Sequence, residues 1–291
     1  MANNIELFKA YVPMLDEVYK LAALTSVLDG NPELASFGNA ANELVIPKMN
    51  MSGLADYSRA TGYVAGDVSL TNETVKCNYD RGRMFQIDTL DNLETAAIAY
   101  GRLAGEFIRT KVVPELDAFR LATYAGLDGI GGATGTLSTG KAVIEALRAA
   151  HAAMDEAEVP AEGRYLFITS ALKGAVDDLD TIASRAALNL ASQVIVVPQT
   201  RFYTAITLGN DGYTKRAASG SGDTAVAAGA DINFMLIHKP AVIQFQKHVA
   251  PKVVTPEQNQ DADAWKFGYR TVGIADAYEN KLAGIYCHSK A

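Results

Sequence analysis

The sequence predicts an α+β chain organised around one long helix, and three observations carry that expectation. Asp91 to Gly126 (DNLETAAIAYGRLAGEFIRTKVVPELDAFRLATYAG) keeps an apolar face at helical spacing over more residues than an ordinary globular helix uses. Residues 42–90, before it, read as two thin strands joined by a long polar loop. After it, helices and strands alternate through an α/β lobe, and the chain closes with strands.

In the long helix, Asp91 caps the start and Glu94 reaches back, the D-x-x-E form of a capping box. Leu93, Ala97, Tyr100, Ala104 and Phe107 begin the apolar face, and Val112, Leu116, Phe119 and Tyr124 continue it. Gly126 is a natural stop. Pro114 removes one backbone donor and biases Val113 away from helical torsions, so a kink or break is expected there. About 34 helical residues would still span roughly 50 Å.

Residues 1–30 read as one amphipathic helix with Leu7, Tyr11, Met14, Val18, Leu21 and Leu24 along one side, ending at the turn Asp29-Gly30-Asn31-Pro32. Next, NELVIPKM is a short strand whose Pro47 makes it a poor central one. The Gly-, Ser-, Asp- and Thr-rich loop SGLADYSRATGYVAGDVSLTNET follows. TVKCNYD then alternates, with Val75, Cys77 and Tyr79 on one face and Lys76, Asn78 and Asp80 on the other, and RMFQID continues through Phe85 and Ile87. Such a hairpin is marginal in isolation, and so long a structureless loop is unusual inside a compact domain. A projecting arm whose partner surface is another subunit explains both. A β-rich lid on the same chain is the alternative.

Gly126–Gly140 (GLDGIGGATGTLSTG) reads as a flexible hinge and domain boundary, with no strand in it. A helix starting near Ser138 or Thr139 follows, running through Ala142, Ile144, Leu147, Ala150 and Met154. RYLFITS and QVIVVPQT are strands, and ALKGAVDDL and TIASRAALNLA are helical. RFYTAITL leads to a turn at Gly209–Gly212. INFMLIH and AVIQFQKHV are strands flanking Pro240, and PKVVTPEQNQDADA is a loop. The closing AWKFGYRTVGIADAYENKLAGIYCHS reads as two or three strands that return beside the long helix.

Bulk composition narrows the function classes. With 49% hydrophobic and 20% charged residues over 291 positions, the chain can bury a sizeable core. A net charge of −7 and the absence of a Lys/Arg block do not support tight binding to a phosphate backbone. No apolar run spans a bilayer, and the N-terminus has no signal-peptide pattern. Cys77 and Cys287 are expected as buried thiols.

The sequence holds no complete catalytic motif. Gly135–Lys141 has the G-x4-G-K spacing of a phosphate loop, but Ala142 stands where a Mg²⁺-binding Ser or Thr belongs, and no buried strand precedes it. His151, His238, His248 and His288 lack second ligands at metal-site spacing. Neither Ser219 nor Ser221 sits in a nucleophile elbow. The pairs Asp155-Glu156 and Asp177-Asp178 read as solvated helix faces. No cofactor is expected.

The order of elements resembles a major capsid protein of tailed bacteriophages, the Hong Kong 97-type fold. Residues 85–120 (FQIDTLDNLETAAIAYGRLAGEFIRTKVVPELDAFR) look like that family's spine helix, and Ala264–Cys287 like its terminal strands. The resemblance implies an N-arm at 1–41 and an extended hairpin, the E-loop, at 42–87. It implies a peripheral domain at 88–130 and 241–291, and an axial domain at 131–240. It further implies copies of the chain assembling as pentamers and hexamers into an icosahedral shell around double-stranded DNA, without sequence-specific binding. Scaffolding, portal and decoration proteins would be the other partners, with assembly in the host bacterial cytoplasm and the virion as destination.

On that resemblance the arm contacts a neighbouring subunit through Val75, Cys77, Tyr79 and Phe85, with Arg59, Arg81 and Arg83 as charge partners. Pro114, Gly126, Gly131 and Gly132 are the hinge candidates for shell expansion. A helix within the first ten residues implies no long cleavable scaffolding segment. Nothing singles out a reactive Lys–Asn pair with an activating Glu, so no covalent cross-linking is expected. The same fold builds encapsulin compartments, which is the alternative function; an α/β enzyme with an unrecognised site is the other.

Overall fold

The computed structural model describes residues 23–30, 43–60, 62–89, 104–219 and 227–291. At its centre is the long helix. Residues 104–107 are α-helical, Ile108–Val112 form a π-turn, and α1 (Val113–Ala125) completes the helix. The expected start at Asp91 lies outside the described residues. The stop falls at Gly126, whose N–H bonds to the carbonyls of Ala122 and Thr123 at 3.0 and 3.1 Å.

Pro114 does not end the helix. In an α-turn its ring would strike the Thr110 carbonyl. The wider π-turn relieves this, because Val113 N–H reaches Ile108 O, five residues back. Val113, expected outside helical torsions, therefore stays helical at φ −63°, ψ −48°.

Two sheets pack on this helix. Strands β3 (Tyr79–Asp88), β10 (Val242–Val254) and β11 (Ala264–Ala277) form a three-stranded antiparallel sheet in the order β10-β11-β3. Phe267 and Tyr269 of β11 meet Ile108, Val112, Val113 and Leu116 of the helix. The PKVV segment, expected as loop, extends β10 to Val254; Pro251 is tolerated because β10 is an edge strand.

The second sheet is mixed, in the order β4-β12-β9-β5-β6. Its strands are β4 (Gly131–Thr134), β5 (Arg164–Thr169), β6 (Gln193–Val197), β9 (Ile232–His238) and β12 (Ile285–Ser289). All of β9 is buried, because both faces are covered. Phe234 and Leu236, with Leu166 and Ile168, face α2 (Gly140–Glu156), α3 (Ser170–Asp177) and α4 (Ile182–Leu188). Met235, Ile237 and Phe167 face the other way, against Leu121 and Tyr124 of α1. Of the described helix, residues 104–116 thus serve one sheet and Leu121 and Tyr124 the other.

The structure revises four further readings. GGAT, read as hinge, is the strand β4, paired parallel to β12. Missing side chains make the approach possible: a Cβ on Gly131 would lie 2.8 Å from the Tyr286 ring, and one on Gly132 3.1 Å from the Cys287 carbonyl. Gly131 and Gly132 are consequently held in a ladder. The last strand, β12, does not pair beside the long helix but inserts between β4 and β9.

Residues 23–28 do not continue a helix, since Ala23 is extended (φ −80°, ψ 115°) and Leu24–Leu28 form a separate 3₁₀ turn. The earlier part of that expected helix lies outside the described residues. Finally, the polar loop is shorter than expected, because VSLTNET belongs to a strand, β2 (Val68–Lys76).

Gly140, which gave the phosphate-loop spacing, has a packing role. A Cβ there would sit 2.0 Å from the Ala175 carbonyl, so α2 begins in direct contact with α3. Thr139 caps it by accepting from Ala142 N–H at 3.3 Å. Lys141 is exposed and pairs loosely with Glu145 one turn on.

Candidate functional site

Strands β1 (Glu43–Met51) and β2 form a two-stranded ribbon, paired antiparallel from Glu43 opposite Lys76 to Met51 opposite Val68. Directly opposed residues share a face. Met49 with Leu70, and Met51 with Val68, therefore make an apolar block on one side. On the other side Lys48 opposes Thr71 and Asn50 opposes Ser69. The four apolar side chains are 57% to 69% exposed and adjacent, the kind of apolar face that marks an interaction surface.

The ribbon ends in the loop 52–67, wholly outside the core. Ser58 and Gly62 bridge, and Gly62 takes the left-handed conformation the turn needs (φ +77°). Tyr57 and Tyr63 flank this turn with ring centroids 4.9 Å apart, and Leu54 and Val64 are exposed beside them. The foot of the ribbon is fixed to the body. Lys48 Nζ meets Glu279 Oε2 at 2.5 Å, and Val75 is buried against Ile243 and Ile274.

Of the seven residues expected to contact a neighbour, Arg59 alone lies on the projecting loop. The other six belong to the body or its junction, because the chain leaves the ribbon at Lys76 and enters the three-stranded sheet at Tyr79. Val75, at the foot of the ribbon, and Tyr79, at the start of β3, are buried within the chain. Cys77 is half-buried beside Val75. Tyr79 Oη donates to Glu115 at 3.1 Å. Arg81 pairs with Glu115 at 2.7 Å and donates to the Gly209 carbonyl at 2.7 Å. Arg83 donates to the Asn210 carbonyl at 2.5 Å, and Phe85 meets Phe107 edge-on at 4.8 Å.

Arg81 and Arg83 thereby hold the tip of a small hairpin, β7 (Ile206–Gly209) and β8 (Gly212–Lys215), over β3. Between that tip, β3, β11 and the π-turn lies a half-open cavity of about 430 Å³. Phe85, Phe107 and Tyr269 give it apolar walls, and Arg83, Lys111 and Asp211 lie at its border. Thr271 contributes to its lining, is 2% exposed, and its hydroxyl has no hydrogen-bond partner among the described residues.

A buried polar network, not anticipated from the sequence, ties residues 23–30 to the helix. Asp117 is fully buried and accepts from Leu24 N–H, Thr25 N–H and the Thr25 hydroxyl at 3.1, 3.1 and 2.7 Å. Arg120 donates to Thr25 Oγ1 at 3.0 Å, and Arg201 reaches Asp117 at 3.2 Å. Gln244 donates to Thr25 O and Asp29 Oδ1, each at 2.7 Å, and accepts from Tyr124 Oη at 2.8 Å. Asp117 acts here as an N-cap supplied from elsewhere in the chain, which is why a new helical turn begins at Leu24.

Asp155 is exposed, as read from the sequence, and in addition accepts from the buried Arg164 at 2.6 Å. Arg164 also donates to the carbonyls of Val159 and Pro160, and lies 3.3 Å from His151 Nδ1. Nδ1 must be the acceptor there, so His151 carries its proton on Nε2, which has no partner among the described residues. Burial, reinforced by the Arg164 charge, lowers the pKa of His151. Burial, then Arg164 and Lys281, lowers that of His238, and burial lowers that of His288.

Each histidine binds fewer protons folded than unfolded, so stability rises with pH across this window. Melting temperature should therefore fall on acidification from pH 7 to below the ordinary histidine value of 6.5. The fall should be smaller in His151→Gln. Equal falls in the two proteins would remove His151 from the account.

Among the described residues no group of three or more His, Cys, Asp or Glu is placed to hold a metal ion. No described helix is long and apolar enough to cross a membrane. Burial pushes the Cys287 thiol up to about 12, which makes it a poor nucleophile.

Neither a protein-family model nor a curated protein sequence matches the chain. Solved structures do. The mature capsid of bacteriophage PhiM1 is similar over 87% of this chain and 83% of its own, with a TM-score of 0.58 at 10% identity. A structure from Mycobacterium phage Che8 covers 85% and 84%, with 0.56 at 14% identity. A virus-like particle from Pyrococcus furiosus covers 94% and 98%, with 0.54 at 9% identity. At these identities the likeness is one of fold, and the chain has the Hong Kong 97-type capsid fold.

Proposed function

We propose that this chain is the major capsid protein of a tailed phage, the repeating unit of an icosahedral shell that encloses double-stranded DNA. The observation that carries the reading is the ribbon: an apolar face and an apolar tip that are exposed among the described residues, on a fold shared with phage capsids. Its natural cover is a second copy, and many modest contacts repeated around pentamers and hexamers would supply the affinity. On this reading 1–41 is an N-arm and 42–87 the extended hairpin. Residues 131–240 form the axial domain, and 88–130 with 241–291 the peripheral one, β12 crossing into the axial sheet. The net charge of −7 suits a wall around a polyanion better than a surface that grips it. The virion is then its location, after assembly in a bacterial host with scaffolding, portal and decoration proteins as further partners.

A second reading is an encapsulin-type nanocompartment shell. The near-complete mutual coverage with the Pyrococcus furiosus virus-like particle favours it. One experiment addresses both: size-exclusion chromatography of the recombinant protein followed by negative-stain microscopy. Closed particles, or rings of pentameric and hexameric symmetry, are expected. DNA or emptiness inside supports the phage shell, and protein cargo supports the compartment. A dimer that persists on co-expression with candidate scaffolds would overturn the shell reading.

A further inference from the structure

The half-open cavity beside the π-turn combines an aromatic corner with a surplus positive charge. Phe107 stands at 73° to both Phe85 and Tyr269, with ring centroids 4.8 and 6.3 Å away. Phe85 and Phe107 are half-buried and line the cavity, so ring surface is open to a guest. The volume of about 430 Å³ lies toward the lower end of clefts that enclose a ligand, roughly 300–1,000 Å³. Most of the charged lining is already matched. Arg81 pairs with Glu115 at 2.7 Å, Arg83 lies 3.9 Å from Asp211, and Arg109 takes up Glu106 at 2.7 Å. Lys111 is exposed and has no ionic or hydrogen-bond partner among the described residues.

We propose that this cavity is a binding site for a compact planar aromatic carboxylate. The ring system of the ligand lies against Phe85 and Phe107, where offset or edge-on packing adds to the burial of apolar area. Its carboxylate pairs with Lys111, a charge-assisted contact stronger than a neutral hydrogen bond. An aromatic corner also attracts cations. Here the acidic groups of the lining already face Arg81, Arg83 and Arg109, and the Lys111 ammonium repels a cationic guest, which selects the anion. Strands β3 and β11, the long helix and the β7–β8 tip all contribute to the lining, and they are distant in sequence. The unfolded chain therefore has no such site, and the ligand stabilises the fold by binding to it. The site lies within one subunit and is independent of the shell reading.

Calorimetric titration of 2-naphthoate into the unassembled full-length chain tests it. One site per chain is expected, with a dissociation constant below about 0.1 mM for a guest of this size. The uncharged isostere 2-naphthamide should bind at least about tenfold more weakly. Lys111→Glu should weaken 2-naphthoate by at least about tenfold, and Lys111→Arg should keep the affinity within about threefold of the parent. Lys141→Glu makes the same change of charge at an exposed lysine outside the cavity and should leave the affinity unchanged. The melting temperature should rise with 2-naphthoate in the parent and stay level in Lys111→Glu. No saturable binding, or equal affinity for the acid and the amide, would overturn the proposal. So would equal affinities in Lys111→Glu and Lys141→Glu, which would place the ligand elsewhere or trace its attraction to overall charge.

Discussion

Asp117→Ala is expected to destabilise the unassembled subunit by about 3–5 kcal/mol, the usual range when one partner of a buried charge network is removed. The loss has three parts. Two backbone N–H groups and the Thr25 hydroxyl lose their acceptor. Arg201 loses its carboxylate, and the buried Arg120 keeps Asp29 at 3.5 Å but donates to a Thr25 hydroxyl that Asp117 no longer orients. Asp117→Asn keeps one acceptor oxygen and should cost less. Urea denaturation measures the difference, and amide exchange gives a local readout, since Leu24 and Thr25 should lose protection in the alanine variant first. A change in midpoint equivalent to less than about 1 kcal/mol for the alanine variant would show that water or a rearranged Gln244 satisfies the site.

Replacing residues 52–67 with Asn-Gly should have the opposite profile, with stability unchanged and assembly abolished. Met51 and Val68 are the last ladder pair, so a two-residue turn closes the ribbon without altering its register. The removed side chains contribute nothing to the core, and the melting temperature should stay within a few degrees of the parent. The tip is nevertheless the part of the ribbon with the most exposed aromatic surface. Anchors of this kind are each worth about 2 kcal/mol or more when removed, and every subunit of a shell would lose the same one. Closed particles should disappear under conditions where the parent forms them. Normal particles from the shortened chain would mean that the ribbon face, with Met49, Met51, Val68 and Leu70, suffices without the tip.

The long helix was legible because its face repeats: Ala104, Val112, Leu116 and Tyr124 are all buried as their spacing requires. The lobe's strands were legible as apolar runs bounded by turn residues, and Thr139 as a helix start. What escaped falls into physical classes. Strand β4 is Gly-rich, and backbone pairing leaves no trace in side-chain pattern when close approach demands that side chains be absent. Asp117 and Arg120 sit on a helix surface that periodicity alone assigns to solvent or ambiguity; only the segment 23–30, arriving from far away in sequence, makes them interior. The ribbon was recognised as a projection, but its turn was placed too late, because Val68–Thr74 is polar on one face and reads as loop. Val75 sits at the foot of the ribbon, and Tyr79, three residues past its last ladder pair, begins β3 in the body. The π-turn resolves a conflict that local rules alone decide wrongly, since a proline forbids an α-turn and not a helix.

The position of β12 has a consequence for the order of events during synthesis. Strands β4, β5, β6 and β9 are all made before residue 285, yet β4 and β9 have no ladder between them until β12 arrives to fill the gap. Until then β9, the most apolar strand of the sheet, presents an open edge, while the ribbon at 43–76 has long since left the ribosome. Long-range pairings of this kind form slowly, and an open edge is a template for pairing with the wrong chain. A nascent subunit therefore carries its sticky appendage well before its body is sealed. Crowding of unfinished chains is the hazard this topology creates, and a chaperone that shields β9 until residue 289 is in place is the kind of helper from which it would gain most.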